Sequence, residues 1–305
     1  MADRDAPIGF LGFGEAGFHL ARGLRRAGAP PLVAFDIKAS DAMAGERIRA
    51  RAAETGTRLV ETPRALARDA GVVLSVVTAA SAVDAARSIA ADLCADHVYA
   101  DLNSVSPATK RRIDGMIGTG AGRFVEGAIM APVAAQEHRV PILLSGSAAA
   151  ALADALSPYQ MRLEVMHGAI GAAAAVKMCR SIVIKGMEAL LLECRLAAGE
   201  HGVVDRVFDS LAESYPGMDW RSTADYMISR VMEHGERRAR EMEEVVDMLR
   251  AAGIDPLIAE ATARRQDWES TLRKAGRLCG ERPATVEGFL ELLVGHPASA
   301  RTDAS

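Results

Sequence analysis

Aromatic side chains are scarce in this 305-residue chain, where Phe, Trp and Tyr together make up 4%. A core must therefore be assembled from aliphatic side chains and alanine, with few large rings to fill space. Cysteine is equally thin. Cys94, Cys179, Cys194 and Cys279 stand far apart, with no C-x-x-C pair and no histidine spacing that suggests zinc. That excludes a disulfide framework and a metal centre, and leaves the four as small buried hydrophobes in a reducing compartment. No apolar run approaches the ~18 residues of a membrane span. The opening MADRDAPIGF lacks the apolar core of a secretory signal, so the expected location is the cytoplasm. Charge of one sign is missing as well: 36 basic residues face 40 acidic ones, for a net charge of −4. Without a basic, aromatic-interleaved patch, nucleic acid and anionic membranes are excluded as partners.

What is present is ordinary globular material. Half of the residues are hydrophobic and a quarter are charged, and the length suggests about two domains. The first half alternates short apolar runs with helical spacing. Ile8–Leu11, Pro31–Phe35, Val72–Val77, His97–Leu102, Phe124–Met130 and Pro141–Leu144 read as strands, and segments such as Gly17–Ala27 and Ser81–Ala95 read as helices between them. Strand–helix alternation predicts a doubly wound parallel sheet covered on both faces, an α/β domain of the Rossmann type over residues 1–166. Residues 167–305 carry almost no strand signal and predict an all-α second domain. Its helices are expected at Gly171–Ala198, Val203–Ser214, Ser222–Ala252, Pro256–Arg277 and Thr285–Val294, with Gly253 as a C-cap and Pro256 in a first turn.

The sharpest signal is IGFLGFGEAGFHLARGLRRAG at Ile8–Gly28. An apolar strand runs into Gly12-Phe13-Gly14-Glu15-Ala16-Gly17, and a helix follows. The first glycine permits the tight turn, the second lets backbone approach a pyrophosphate, and the third lets helix and strand pack closely. The next strand ends in Asp36-Ile37, about 20 residues past the last glycine, where a carboxylate accepts hydrogen bonds from ribose hydroxyls. That carboxylate repels a 2′-phosphate, which favours NAD over NADP, although Lys38 stands near enough to serve a phosphate. Ligands of such sheets lie beyond the carboxyl ends of the strands. Val77 and Thr78, together with Asn103 and Ser104, are therefore candidates for the nicotinamide half, with turn formation and helix capping as the competing role of the same residues.

A third feature is Lys177, early in the long helix. Ser181 and Lys185 follow at i+4 and i+8 on the same face, with Arg180 beside them. The surrounding helix is too apolar for a surface helix. A lysine desolvated there would have the lowered pKa that a general acid or base needs near neutrality. The competing account is a solvated stripe.

These motifs together resemble the β-hydroxyacid dehydrogenase family, which includes 3-hydroxyisobutyrate and 6-phosphogluconate dehydrogenases. The resemblance is clear from Ile8 to about Lys185 and looser beyond. It implies NAD or NADP at Gly12, Gly14 and Gly17, a nicotinamide-side turn at Asp101–Pro107, and a catalytic lysine at Lys177. It also implies a homodimer paired through the C-terminal domains. Three departures bear on the substrate. The family's substrate loop appears as Met130-Ala131-Pro132-Val133-Ala134-Ala135, so Ala134 lacks the usual serine hydroxyl. Ser181 replaces the usual asparagine. The segment His234–Glu244 resembles the branch whose C-terminal domain is only loosely like 6-phosphogluconate dehydrogenase.

The implied reaction needs no metal. It is hydride transfer between a nicotinamide cofactor and a small, sugar-derived or branched hydroxy acid, with Lys177 relaying the proton. Substrate contacts are expected from Ser104, Val133, Ala134, Arg180, Ser181 and Arg240, the last drawn from an arginine-rich stretch that also reads as a solvated face. Two other functions compete. One is reduction of a C=N bond, because imine reductases resemble this architecture, though the retained Lys177 argues against it. The other is a non-catalytic protein that binds or senses NAD(P).

Overall fold

The computed structural model describes residues 6–294 and 296, which form two compact units divided between Lys177 and Met178. The first unit begins β1 (Ile8–Leu11), α1 (Glu15–Arg26), β2 (Leu32–Phe35), α2 (Ala42–Thr55), β3 (Arg58–Leu59) and α3 (Pro63–Asp69). It continues through β4 (Val72–Ser75), α4 (Ala82–Ala90), β5 (Val98–Asp101), α5 (Pro107–Thr119) and β6 (Arg123–Ile129). A short α6 (Val133–Gln136), β7 (Ile142–Ser145), α7 (Ala149–Leu156) and β8 (Leu163–Val165) complete the sheet.

The strand order is β3-β2-β1-β4-β5-β6-β7-β8. Strands β1 to β6 are parallel, and the order reverses between β1 and β4, which opens a crevice at their carboxyl ends. The expectation of a parallel sheet holds that far. β7 instead pairs antiparallel with β6, and β8 is parallel to β7. The β6–β7 connection holds only α6 and one further helical turn, too little for the crossover that a parallel return requires.

Alternation along the strands explains why both sheet faces are covered. Phe10, Leu74, Ala100 and Val125 enter one buried cluster with Leu20 and Leu24 of α1 and Leu152 of α7. Their chain neighbours Leu11, Val73, Tyr99 and Phe124 enter another, with Leu66 of α3, Ile89 of α4 and Ile113 of α5.

The second unit takes the long helix α8 (Ala172–Glu200) from Met178 onward. It adds α9 (Val204–Ser214), α10 (Trp220–Ala251), α11 (Leu257–Gln266), α12 (Trp268–Lys274) and α13 (Val286–Leu293). Its core is Leu191, Leu192, Phe208, Ile228, Val231, Trp268, Leu272, Phe289 and Leu293. α10 crosses α11 so closely that a Cβ on Gly235 would stand 2.3 Å from the carbonyl oxygen of Gln266. The single helix expected at Pro256–Arg277 is broken at Asp267 into α11 and α12. The division between the two units falls inside α8, whose first turns are tied to the sheet through Glu126.

The cysteines depart from expectation. Cys94, Cys179 and Cys279 are exposed and Cys194 is half-buried. Cys94 lies against a neighbour missed in the sequence, with its Sγ 3.1 Å from Nδ1 of His97. Among the described residues no helix is long and apolar enough to cross a membrane, and no group of three or more His, Cys, Asp or Glu is placed to hold a metal ion.

Candidate active site

The glycine loop joins β1 to α1 at the strand-order reversal. Gly12 sits at φ +96°, and a Cβ there would lie 2.7 Å from Cγ1 of Val77 and 2.8 Å from the carbonyl oxygen of Val76. Only glycine fits both constraints. Gly17 serves packing, since its Cβ would meet the carbonyl oxygen of Gly12 at 2.7 Å. Gly14, the N-cap of α1, has open space where a Cβ would point, and no side chain caps the helix there. The first N–H groups of α1 thus face an uncovered approach, as binding of a pyrophosphate requires. Phe13 between them is fully buried and packs edge-on against Phe10 at 5.8 Å. Glu15 is exposed and Ala16 half-buried.

Asp36, at the end of β2, belongs to the same loop. Its Oδ2 accepts from the Phe13 N–H at 2.7 Å and its Oδ1 from the Lys38 N–H at 2.9 Å. A carboxylate has about four acceptor positions, so two remain for ribose hydroxyls. Ile37 beside it is 79% exposed.

At the ends of β4 and β5 the predicted residues do meet, but not all of them face outward. Asn103 is buried. Its Oδ1 accepts from the Val77 N–H at 2.7 Å and its Nδ2 donates to Ser75 Oγ at 3.0 Å. Its amide is thus spent on clamping two loops together. Thr78 is exposed and shares a hydrogen bond with Ser81. Ser104, half-buried, accepts a short hydrogen bond from Lys177 Nζ. Residues 73 positions apart in sequence are therefore joined. Ser181 follows Lys177 by one helical turn and is half-buried, whereas Arg180 is exposed.

Two carboxylates are fully buried in the sheet: Asp101, expected only as part of a turn, and Glu126, which carried no expectation. Asp101 accepts from Lys110 Nζ at 2.8 Å, and neither side chain is more than 1% exposed. Glu126 accepts from the N–H groups of Gly171 and Ala174, both at 2.6 Å. The available signal was an acid within or at the end of an otherwise apolar strand, a placement too costly to keep without partners.

The remaining substrate candidates are Val133, Ala134 and Arg240. Val133 and Ala134 occupy α6, half-buried and exposed respectively. In the second unit Arg240 is tied to Glu243 and to Asp267. Lys185 is buried there, 2.8 Å from Glu241, and burial lowers its pKa against the pull of that carboxylate.

Comparison with known proteins agrees with this geometry. Residues 7–156 match the NAD binding domain of 6-phosphogluconate dehydrogenase, and residues 198–268 match a domain of unknown function, DUF1932. A conserved protein of unknown function, whose structure is described as similar to 3-hydroxyacid dehydrogenases, is 32% identical. It superimposes with a TM-score of 0.70 over 90% of this chain and 100% of its own. The chain belongs to the β-hydroxyacid dehydrogenase family. A conserved hypothetical protein from Sinorhizobium meliloti 1021 is 39% identical, with a TM-score of 0.75 over 95% of this chain and 96% of that one. The 3-hydroxyisobutyrate dehydrogenase of Mycobacterium tuberculosis, solved with L-serine, shares the fold at 16% identity, with a TM-score of 0.72 over 95% of this chain and 99% of that one. The family assignment brings a nicotinamide-dinucleotide domain with it, and the open N-terminus of α1 fits that group.

Proposed function

We propose that the chain is an NAD-dependent dehydrogenase of a small hydroxy acid, with Lys177 as its general acid and base. The observation that carries this reading is the hydrogen bond from Lys177 Nζ to Ser104 Oγ. It unites the two segments expected to hold the reacting carbon, the turn after β5 and the first turns of α8. Gly12, Gly14 and Gly17 hold the pyrophosphate, Asp36 the adenosine ribose, and the exposed Ile37 offers an apolar face to adenine. Val77, Thr78 and Ser104 line the nicotinamide side. When bound, the nicotinamide supplies a carbon that accepts the hydride.

The chain's own residues manage the proton. Ser104 accepts from Lys177 and keeps its hydroxyl hydrogen for the substrate oxygen. In the neutral form Lys177 takes the hydroxyl proton as the C–H bond breaks, and returns one in the reverse direction. Arg240 fits a substrate role poorly, because both arms of its guanidinium group are already engaged by carboxylates. Fluorescence titration with NADH and NADPH, followed by turnover assays over a panel of small hydroxy acids, tests the assignment. Dinucleotide binding without oxidation of any member would favour a sensing protein instead.

We also propose a homodimer. Val183 and Leu190, one heptad apart on α8, are 59% and 69% exposed, and a second copy of the helical unit would cover them.

A further inference from the structure

Four polar side chains stand in one row across the interior of the sheet. Ser75 is the register partner of Asp101, Asp101 of Glu126, and Glu126 of Ser145. Register partners share a sheet face, and all four are fully buried. A polar row at the centre of an apolar sheet is costly unless each member is bonded. Here Ser75, Asp101 and Glu126 are each bonded to a segment of the proposed site, and Ser145 is bonded to Glu126.

Two halves of the row hold two halves of the Ser104–Lys177 pair. Ser75 Oγ accepts from Asn103 Nδ2 at 3.0 Å, and Asp101 Oδ1 accepts from the Asn103 N–H at 2.9 Å. Lys110 Nζ binds the Asp101 carboxylate and reaches the carbonyl oxygens of Asp101 and Gly127 at 2.7 and 3.1 Å. These bonds settle the residue just before Ser104. On the other half, Ser145 Oγ donates to Glu126 Oε2 at 2.5 Å. The Gly171 N–H reaches the same oxygen at 2.6 Å, and the Ala174 N–H reaches Oε1 at 2.6 Å. The sequence separations from Glu126 to these two N–H groups are 45 and 48, so Glu126 is a remote cap for the start of α8. Lys177 follows Ala174 by three residues, on the same helix face.

We infer that Glu126 is a positioning residue for the proton relay, setting the height and roll of the first turns of α8 so that Lys177 Nζ meets Ser104. The inference rests on the reading of Lys177 given above. Its chemistry is specific. All three partners donate, and both carboxylate oxygens accept. An anion also suits the exposed N–H groups and dipole of a helix start. Glutamine would turn an NH2 group toward a backbone N–H and bury an unmatched donor pair. Aspartate would keep the charge but fall one carbon short of the helix. In either case Lys177 would leave Ser104, and a misplacement of about 1 Å costs catalysis on the order of 10²-fold.

Trace acetylation of lysines by acetic anhydride across a pH series, read by peptide mass spectrometry on the full chain, tests this without needing the substrate. In Glu126→Gln and Glu126→Asp, the acetylation rate of Lys177 across the series should change severalfold from wild type, while that of the exposed Lys38 stays as it was. Titration of NADH fluorescence should show unchanged affinity. A merely structural Glu126 would lower the melting temperature of the variants and leave the Lys177 profile as it was. That result in either folded variant overturns the inference, and so does failure of both to fold. A Lys177→Ala enzyme with intact turnover, beside a Glu126→Gln protein with released Lys177, would instead remove the catalytic reading and keep the positioning.

Discussion

The N–H of Phe13 donates to Oδ2 of Asp36 at 2.7 Å, so the carboxylate at the end of β2 also fastens the glycine loop after β1. One residue thereby holds the glycine loop in place and, in the proposed reading, presents a negative charge to the adenosine ribose. NADH should bind more tightly than NADPH, because a 2′-phosphate would be brought against that carboxylate. Dissociation constants from fluorescence titration check this, and a tenfold or greater preference for NADPH would assign the phosphate to Lys38. Asp36→Asn should narrow the discrimination while weakening NADH binding, since an amide repels less and accepts at only one atom.

His138 and Gly23 give a prediction about stability. A Cβ on Gly23 would stand 2.0 Å from Nδ1 of His138, so the middle of α1 gives up about 1 kcal/mol of helix propensity to make room for a buried ring. Burial first, and then the charge of Arg139, hold the His138 pKa below its usual 6.5. The folded state therefore binds the proton less readily than the unfolded chain. The contribution to stability is present above about pH 6.5 and is lost as pH falls through the lower folded value. Melting curves between about pH 7 and pH 5 should fall more steeply for wild type than for His138→Gln. Parallel curves would show that His138 does not titrate differently on folding.

A sedimentation experiment addresses the proposed dimer. The chain should sediment as two copies at micromolar concentration, and Val183→Glu with Leu190→Glu should return it to one. Burying a carboxylate without a partner in an apolar interface costs several kcal/mol. A wild-type mass of one chain would leave the exposed stripe on α8 unexplained.

The sequence was most legible where local chemistry and fold agree. Gly12 and Gly17 each have a steric reason, the Val76 and Val77 atoms beside the first and the Gly12 carbonyl beside the second, while Gly14 leaves open space at the start of α1. β1 was read to the residue, because the run Ile-Gly-Phe-Leu ends abruptly at the glycine loop. The return of β7 was not legible, since antiparallel pairing depends on how short the β6–β7 connection becomes in space. β3, with two residues, and the half-exposed β8 were too brief to carry a periodic signal. Asp101 was read as part of a turn and Glu126 was not read at all. Their partners, Lys110 for the first and Gly171 and Ala174 for the second, come together only when the sheet and α8 are assembled. The cysteines misled for a related reason. Composition places cysteine inside on average, but whether a given position faces solvent is decided by packing.

Lys177 carries the decisive prediction. If it relays the proton, Lys177→Ala should lower kcat by about 10²–10⁴-fold, the usual worth of general acid–base catalysis. Affinity for NADH should barely change, because in this reading the glycine loop and Asp36, not that lysine, hold the dinucleotide. Lys177→Arg should not rescue the rate, since a guanidinium group stays protonated and cannot serve as base. Oxidation by wild type should rise with pH through one ionisation, and that step should vanish in the alanine variant. Ser104→Ala should retain more activity than Lys177→Ala, because it removes the lysine's partner and leaves the base in place. A solvated lysine on a helix face would instead produce a change within about ±0.5 kcal/mol of stability and an unaltered pH profile. Near-wild-type turnover by Lys177→Ala would move the proton to another group. Lys185 is an unattractive substitute, because it lies buried in an ion pair with Glu241.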